Sequence, residues 1–224
     1  MKINVLTSGS KGNVTAVEVG EEIILLDCGK AANWTLERLN YKLPRAVLVT
    51  HEHGDHSKAV KNWLNRGVDL YLTHGTIKAM ALKSRHNLHA ITCAVPFEIG
   101  GLRVLPIPAI HDAAEPVNFI LDDGTDRILY ATDTGALPAI SGDFTKILIE
   151  TNYSEPVLLS SDIDDYQKRR ILENHLSAEQ AITFLKENPA SEVHLIHISK
   201  RHGDGAEFRT LAIAATGNEN IFAD

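Results

Sequence analysis

The sequence predicts a layered α/β fold, and three observations carry that prediction. Short apolar runs bounded by turn residues dominate the first half, helical periodicity recurs in both halves, and no low-complexity linker or tandem repeat separates them. Two sheets with helices on their outer faces would bury every apolar strand face in such a chain. A sandwich of this kind, in one domain over residues 1–224, is therefore the expectation.

The elements follow in order. Ile3 to Thr7, Val14 to Val19 and Ile23 to Leu26 read as strands of a meander, ending at Asp27 and Gly29. A helical stretch from about Trp34 to Asn40 precedes Ala46 to Thr50, a β-branched run that leads directly into HEHGDH at 51–56. Ser57 is placed to cap a helix through Leu64, with Val60, Trp63 and Leu64 on one face. Leu70 to Thr73, Ile91 to Val95 and Leu102 to Pro108 continue the strands, with Gly100-Gly101 as a turn. Asn118 to Leu121 and Arg127 to Thr132 flank Asp122, Asp123 and Gly124 as a hairpin. Lys146 to Glu150 and Val193 to Ile196 are strands, and helices are predicted around Asp162 to Asn174, Ser177 to Glu187 and Ala206 to Ala215.

Composition narrows the setting. The chain is 44% hydrophobic and 23% charged, ordinary for a globular protein, and no run reaches the ~18 apolar residues of a membrane span. The N-terminal MKINVLTSGSKGN alternates like a strand and never builds a signal-peptide core, so a cytoplasmic protein is expected. Cys28 and Cys93 have no close metal-binding partner and read as buried apolar side chains. The net charge of −7 argues against a general nucleic-acid coat but leaves a local groove open, because carboxylates that bind metal contribute to it.

The 11 histidines are informative where they cluster. His51 and His53, one residue apart on an extended loop, can point the same way and bind one ion, while Asp55 and His56 offer oxygen and nitrogen to another. Imidazole with carboxylate suits zinc, manganese or iron, and an open position turns bound water into a nucleophile. One loop cannot complete two coordination shells. His111, Asp133 and His197 each follow an apolar run and are the further candidate ligands.

HEHGDH followed by His111, Asp133 and His197 resembles the metallo-β-lactamase superfamily, whose fold is a four-layer αββα sandwich with two metals at one edge. The resemblance implies two divalent ions, zinc or manganese, with His51, His53 and His111 on the first, Asp55, His56 and His197 on the second, and Asp133 between them. Asp27, in LLDCG, resembles the acidic residue that supports the metal loop. SGSKGN at 8–13, ETNYS at 150–154, NHLS at 174–177 and HIS at 197–199 are most similar to the YycJ/WalJ nuclease branch and secondarily to RNase Z. That similarity implies hydrolysis of DNA or RNA by a metal-bridging hydroxide, with Asp55, Glu150 and His175 as catalytic residues and the last two protonating the leaving oxygen. The short interval from His111 to Asp133 leaves no room for a tRNA-gripping arm, and that from Asp133 to His197 none for a β-CASP domain.

Ser8, Ser10 and Asn13, with Gly9 and Gly12, suit either a backbone-amide cradle for a substrate phosphate or a tight Ser/Gly turn. Lys200 and Arg201, and the run Lys168, Arg169 and Arg170, are candidate nucleic-acid contacts. The same metal chemistry would also serve a lactone, thioester or other small ester, which is the alternative reading.

Overall fold

The computed structural model describes residues 1–140 and 142–224. Strands β1 (Lys2–Thr7), β2 (Val14–Val19), β3 (Glu22–Leu26), β4 (Ala46–Leu48), β5 (Asp69–Thr73) and β6 (Leu88–Ile91) form one sheet in chain order. Its first three strands are antiparallel and its last four, from β3 onward, run parallel. The second sheet has the order β13-β12-β11-β10-β9-β8-β7, from β7 (Phe97–Ile99), β8 (Leu102–Pro108), β9 (Val117–Asp122), β10 (Arg127–Ala131), β11 (Lys146–Glu150), β12 (Glu192–Ile196) and β13 (Ile221–Ala223). Helices are α1 (Ala32–Arg38), α2 (Gly54–Ser57), α3 (Val60–Asn65), α4 (His74–Ala79), α5 (Glu155–Ser160), α6 (Asp165–Asn174), α7 (Ala178–Glu187) and α8 (Gly205–Thr216). The expected α/β class with two sheets and helices is what the chain adopts.

The chain divides into two compact units, Met1–Pro108 with Ala113–Phe119, and Ala109–Asp112 with Ile120–Asp224. In the first, Leu25, Val47, Leu70 and Leu72 from the parallel strands, with Val49 just after β4, cluster with Leu36 of α1 and Val60, Trp63 and Leu64 of α3. Trp63 is fully buried, and removing such a side chain costs about 3–5 kcal/mol. In the second, Ile128–Ala131, Ile147–Ile149 and Val193–Ile196 are buried continuously, as parallel strands covered on both faces require. Helix α7 opens with a capping box, Ser177 and Gln180 each bonding the other's backbone N–H.

Several boundaries differ from the sequence reading. Ser57 does not cap a helix: its Oγ donates back to the Glu52 and His53 carbonyls at 2.6 and 3.0 Å, it ends the short helix α2 where a loop was expected, and the expected helix begins only at Val60. The strand expected over Ile91 to Val95 lies earlier, because Ala94 adopts φ 62° and turns the chain. Helix α4 was not expected, since Gly75 and Thr76 are weak helix formers; the Thr73 side chain caps it. Helix α5 and strands β7 and β13 are too short to show a period. Cys28 is buried, with a thiol pKa pushed far up by burial and then by Asp27, whereas Cys93 is only partly covered; both are free thiols. Among the described residues no helix is long and apolar enough to cross a membrane.

The second unit holds one testable electrostatic element. His194 of β12 lies between two carboxylates, Asp224 Oδ2 at 2.5 Å from Nδ1 and Glu192 Oε1 at 2.9 Å from Nε2, and Lys146 pairs with the other oxygen of Glu192. Burial would lower the His194 pKa, but the two carboxylates hold it above the ordinary 6.5. A raised folded-state pKa gives stability that is full below 6.5 and is lost as pH rises through the folded value. His194→Gln is therefore expected to lower the melting temperature most under mildly acidic conditions, the difference from the parent shrinking as the pH becomes alkaline. A difference independent of pH in calorimetry would contradict this.

Candidate metal centre

In the first unit, buried β4 delivers Thr50 and then the loop of His51, His53, Asp55 and His56. Asp27 follows β3 in the left-handed region, φ 60°, which turns its carboxylate toward that loop. Its Oδ1 accepts from the Thr50 N–H at 2.9 Å, and its Oδ2 lies 2.8 Å from His56 Nδ1. Thr50 Oγ1 donates to Asp27 and sits 3.0 Å from His51 Nδ1. The ring centres of His53 and His56 are 4.7 and 4.3 Å from that of His51, and Asp55 Oδ2 is 3.6 Å from His56 Nε2. Three imidazoles and a carboxylate are thus gathered on the end of this loop and the short helix α2 that follows it.

A neighbouring strand turn fixes the loop. The Asn13 N–H donates to the Asp55 carbonyl at 2.7 Å, and the Gly29 N–H to the Asn13 carbonyl at 2.9 Å. A Cβ on Gly29 would stand 1.7 Å from the Asp55 carbonyl oxygen, so only glycine permits this approach. Gly29→Ala is expected to displace the metal loop and cost about 1–3 kcal/mol by overpacking, read as a lower denaturant midpoint with loss of bound metal. Gly101→Ala, where an added Cβ meets nothing within 4 Å, is the control and should change neither. Equal behaviour of the two variants would contradict the contact.

The second unit gathers His111, Asp133, Glu150, His175 and His197. Asp133 and His197 leave β10 and β12 in the left-handed region, φ 43° and 56°, a strained geometry for residues other than glycine. Asp133 Oδ2 is 3.7 Å from His111 Nε2 and Oδ1 is 3.3 Å from His197 Nδ1. His111 Nδ1 donates to the Asn174 carbonyl at 3.0 Å. Buried Glu150 receives both remaining histidines on one oxygen, Oε1, at 2.7 Å from His175 Nδ1 and 2.8 Å from His197 Nδ1. Its Oε2 accepts from the Thr134 and Leu176 N–H groups at 2.9 and 3.2 Å. Burial would raise the Glu150 pKa, but the His175 charge and the hydrogen bonds from His175 and His197 bring it below the ordinary carboxylate value. Burial likewise opposes protonation of His175, and Glu150 overcomes it, raising its pKa above 6.5.

The donor chemistry fits divalent metal ions. His51, His56, His111 and His197 each have Nδ1 beside an oxygen partner, the arrangement that sets the tautomer and presents Nε2 as ligand. Asn13 Nδ2 lies 2.9 Å from the Nε2 of His56. Within the second unit, His111, Asp133 and His175 can bring ligand atoms within 4.8 Å of one another, as can Glu150, His175 and His197.

Three amides of the glycine-serine turn are engaged within the protein. The Gly9 N–H donates to Asn13 Oδ1 at 2.8 Å, the Gly12 N–H to the Gly9 carbonyl at 2.8 Å and the Asn13 N–H to Asp55. Of the suggested cradle residues, Asn13 is buried as a brace of the 51–56 segment, Ser8 is partly exposed and Ser10 is exposed. Lys200 is exposed in the turn after His197. Arg170 of the basic run is held by Asp112 at 2.6 Å, which steadies the segment bearing His111. Thr50, Asn152 and Asn174 were given no individual site role in the sequence reading. Asn152 Nδ2 lies 3.3 Å from Glu150 Oε1 and 2.9 Å from the His197 carbonyl, and its place two residues after Glu150 was the available signal.

A family model described as a β-lactamase superfamily domain matches residues 23–198. The exodeoxyribonuclease WalJ of Streptococcus pneumoniae is 30% identical over 225 residues, covering 90% of this chain and 82% of that protein. The exodeoxyribonuclease YycJ of Bacillus anthracis is 27% identical over 223 residues, covering 89% and 83%. Among solved structures, the metallo-β-lactamase fold protein YhfI from Bacillus subtilis superposes with a TM-score of 0.77 at 17% identity, covering 99% of this chain and 94% of that one.

Proposed function

We propose that this chain, which belongs to the β-lactamase superfamily, is a metal-dependent phosphodiesterase acting as a nuclease on DNA. The observation that carries the reading is the Glu150–His175 pair, 2.7 Å apart, with the carboxylate buried and the imidazole partly exposed. A phosphodiester expels an alkoxide, which needs a proton, and an imidazolium oriented by a carboxylate is a suitable donor. Two relatives bearing the name exodeoxyribonuclease support DNA over RNA and cleavage from an end.

By correspondence with the family motifs, His51, His53 and His111 hold one ion, Asp55, His56 and His197 the second, and Asp133 serves both, with zinc or manganese as the metal. Bound there, the ions supply Lewis acidity at the phosphate and lower the pKa of water. Asp27 keeps the Nδ1 proton of His56 and so its ligating tautomer. Asp55 completes the second ligand set and orients the attacking water. His175 holds its proton on the nitrogen facing away from Glu150 and gives it to the departing oxygen. The reading takes residues 1–224 as one domain, since the matched span runs through segments of both compact units, and places it in the cytoplasm. Its test is a panel of end-labelled single- and double-stranded DNA and RNA, bis-p-nitrophenyl phosphate, a lactone and a thioester. Cleavage of DNA from an end is the expected result; hydrolysis confined to the lactone or thioester would overturn it.

A further inference from the structure

We propose that Lys30, Trp34 and Arg38 form a platform beside the metal loop that holds an unpaired nucleic-acid strand, a proposal that rests on the phosphodiesterase reading and extends it to substrate form. Lys30 directly follows Gly29, whose backbone touches Asp55, and its Cδ would stand 3.0 Å from a Cβ on Gly12. The lysine stem therefore runs along the 8–13 turn that braces the metal loop. Its Nζ lies 5.6 Å from the centre of the Trp34 ring, and the Arg38 guanidinium carbon lies 3.6 Å from the same centre. Arg38 also donates to the Trp34 carbonyl at 3.2 Å, which holds the guanidinium against the indole. Trp34 is partly exposed and Arg38 exposed.

This grouping has the chemistry of strand recognition. A guanidinium held flat on an indole offers a plane on which a base can stack and N–H groups for phosphate, and the lysine adds a second cation. Lys11 is exposed on the adjoining turn, and Glu37 is the exposed acid on the same helix. In a chain of net charge −7 such a concentration of cations is local rather than general. Other cations nearby are engaged: Arg45 lies 3.8 Å from Glu22, and Lys42 donates to the Glu21 carbonyl. Stacking requires a base whose face is open, which favours an unpaired strand over a duplex.

The test is binding of a labelled single-stranded oligodeoxynucleotide in the presence of chelator, so that no turnover occurs, across a salt series. The Lys30→Ala/Arg38→Ala variant is expected to bind about tenfold more weakly and to lose about 1.4 from the slope of log affinity against log salt, at about 0.7 per phosphate contact. Oligonucleotide should quench Trp34 fluorescence, a signal to which fully buried Trp63 does not contribute. Arg38→Lys should restore the charge, and with it the salt slope, but not the stacking, so affinity stays below the parent. Unchanged hydrolysis of bis-p-nitrophenyl phosphate, which has no strand to bind, would show that the variants leave the metal centre intact. Unchanged affinity and slope would overturn the proposal, as would equal weakening toward a polyglutamate peptide without a Trp34 response. Failure of the parent to hydrolyse any phosphodiester would count against the function alone, because the binding measurement is made without turnover.

Discussion

Asp133→Asn is expected to reduce phosphodiester hydrolysis on the order of a thousandfold or more, the effect of losing the carboxylate proposed to serve both ions. The carboxylate is 4% exposed, and its two oxygens face His111 and His197 at 3.7 and 3.3 Å. Asparagine keeps the shape and tolerates the left-handed backbone at φ 43°, so the fold should survive. What disappears is the negative charge. Metal content measured by mass spectrometry should fall with activity while the melting temperature of the chelated protein stays close to the parent's. A variant that retains both metal and rate would remove Asp133 from the ligand set.

Glu150→Gln should produce two losses, because one oxygen orients both His175 and His197. Removing the carboxylate behind a leaving-group acid costs about 10²–10⁴ in rate, and removing the support of a metal-binding histidine about 10–100-fold in metal affinity. His175→Ala should cost only the first. The two variants therefore separate: both slow cleavage of alkyl phosphodiesters more than nitrophenyl ones, whose leaving group departs without a proton, but only Glu150→Gln releases metal. Parallel behaviour in metal affinity would show that Glu150 does not position His197.

Much of this arrangement could be read from the chain before any coordinates. The cluster of candidate ligands at 51–56 was legible because four donors fall within six residues that follow a compact strand. His111, Asp133 and His197 were legible as residues released at strand ends, a placement that β10 and β12 provide for the last two. The left-handed backbone of Asp27, Asp133 and His197 was not, because no local signal marks a strained aspartate or histidine that tertiary contacts enforce. Nor was the bracing role of Asn13, whose side chain accepts from the Gly9 N–H and whose own N–H donates to distant Asp55. The sharing of Glu150 between two histidines depends on the parallel register that sets Glu150 opposite Ile196, one residue before His197. A sequence does not display that register.

The most direct test of the central claim is DNA cleavage by chelator-stripped protein reloaded stepwise with manganese or zinc, followed alongside bound-metal stoichiometry. Activity should vanish on stripping and return as occupancy approaches about two ions per chain. Cleavage that persists in the stripped protein, or a fully loaded protein inert toward every phosphodiester, would contradict it.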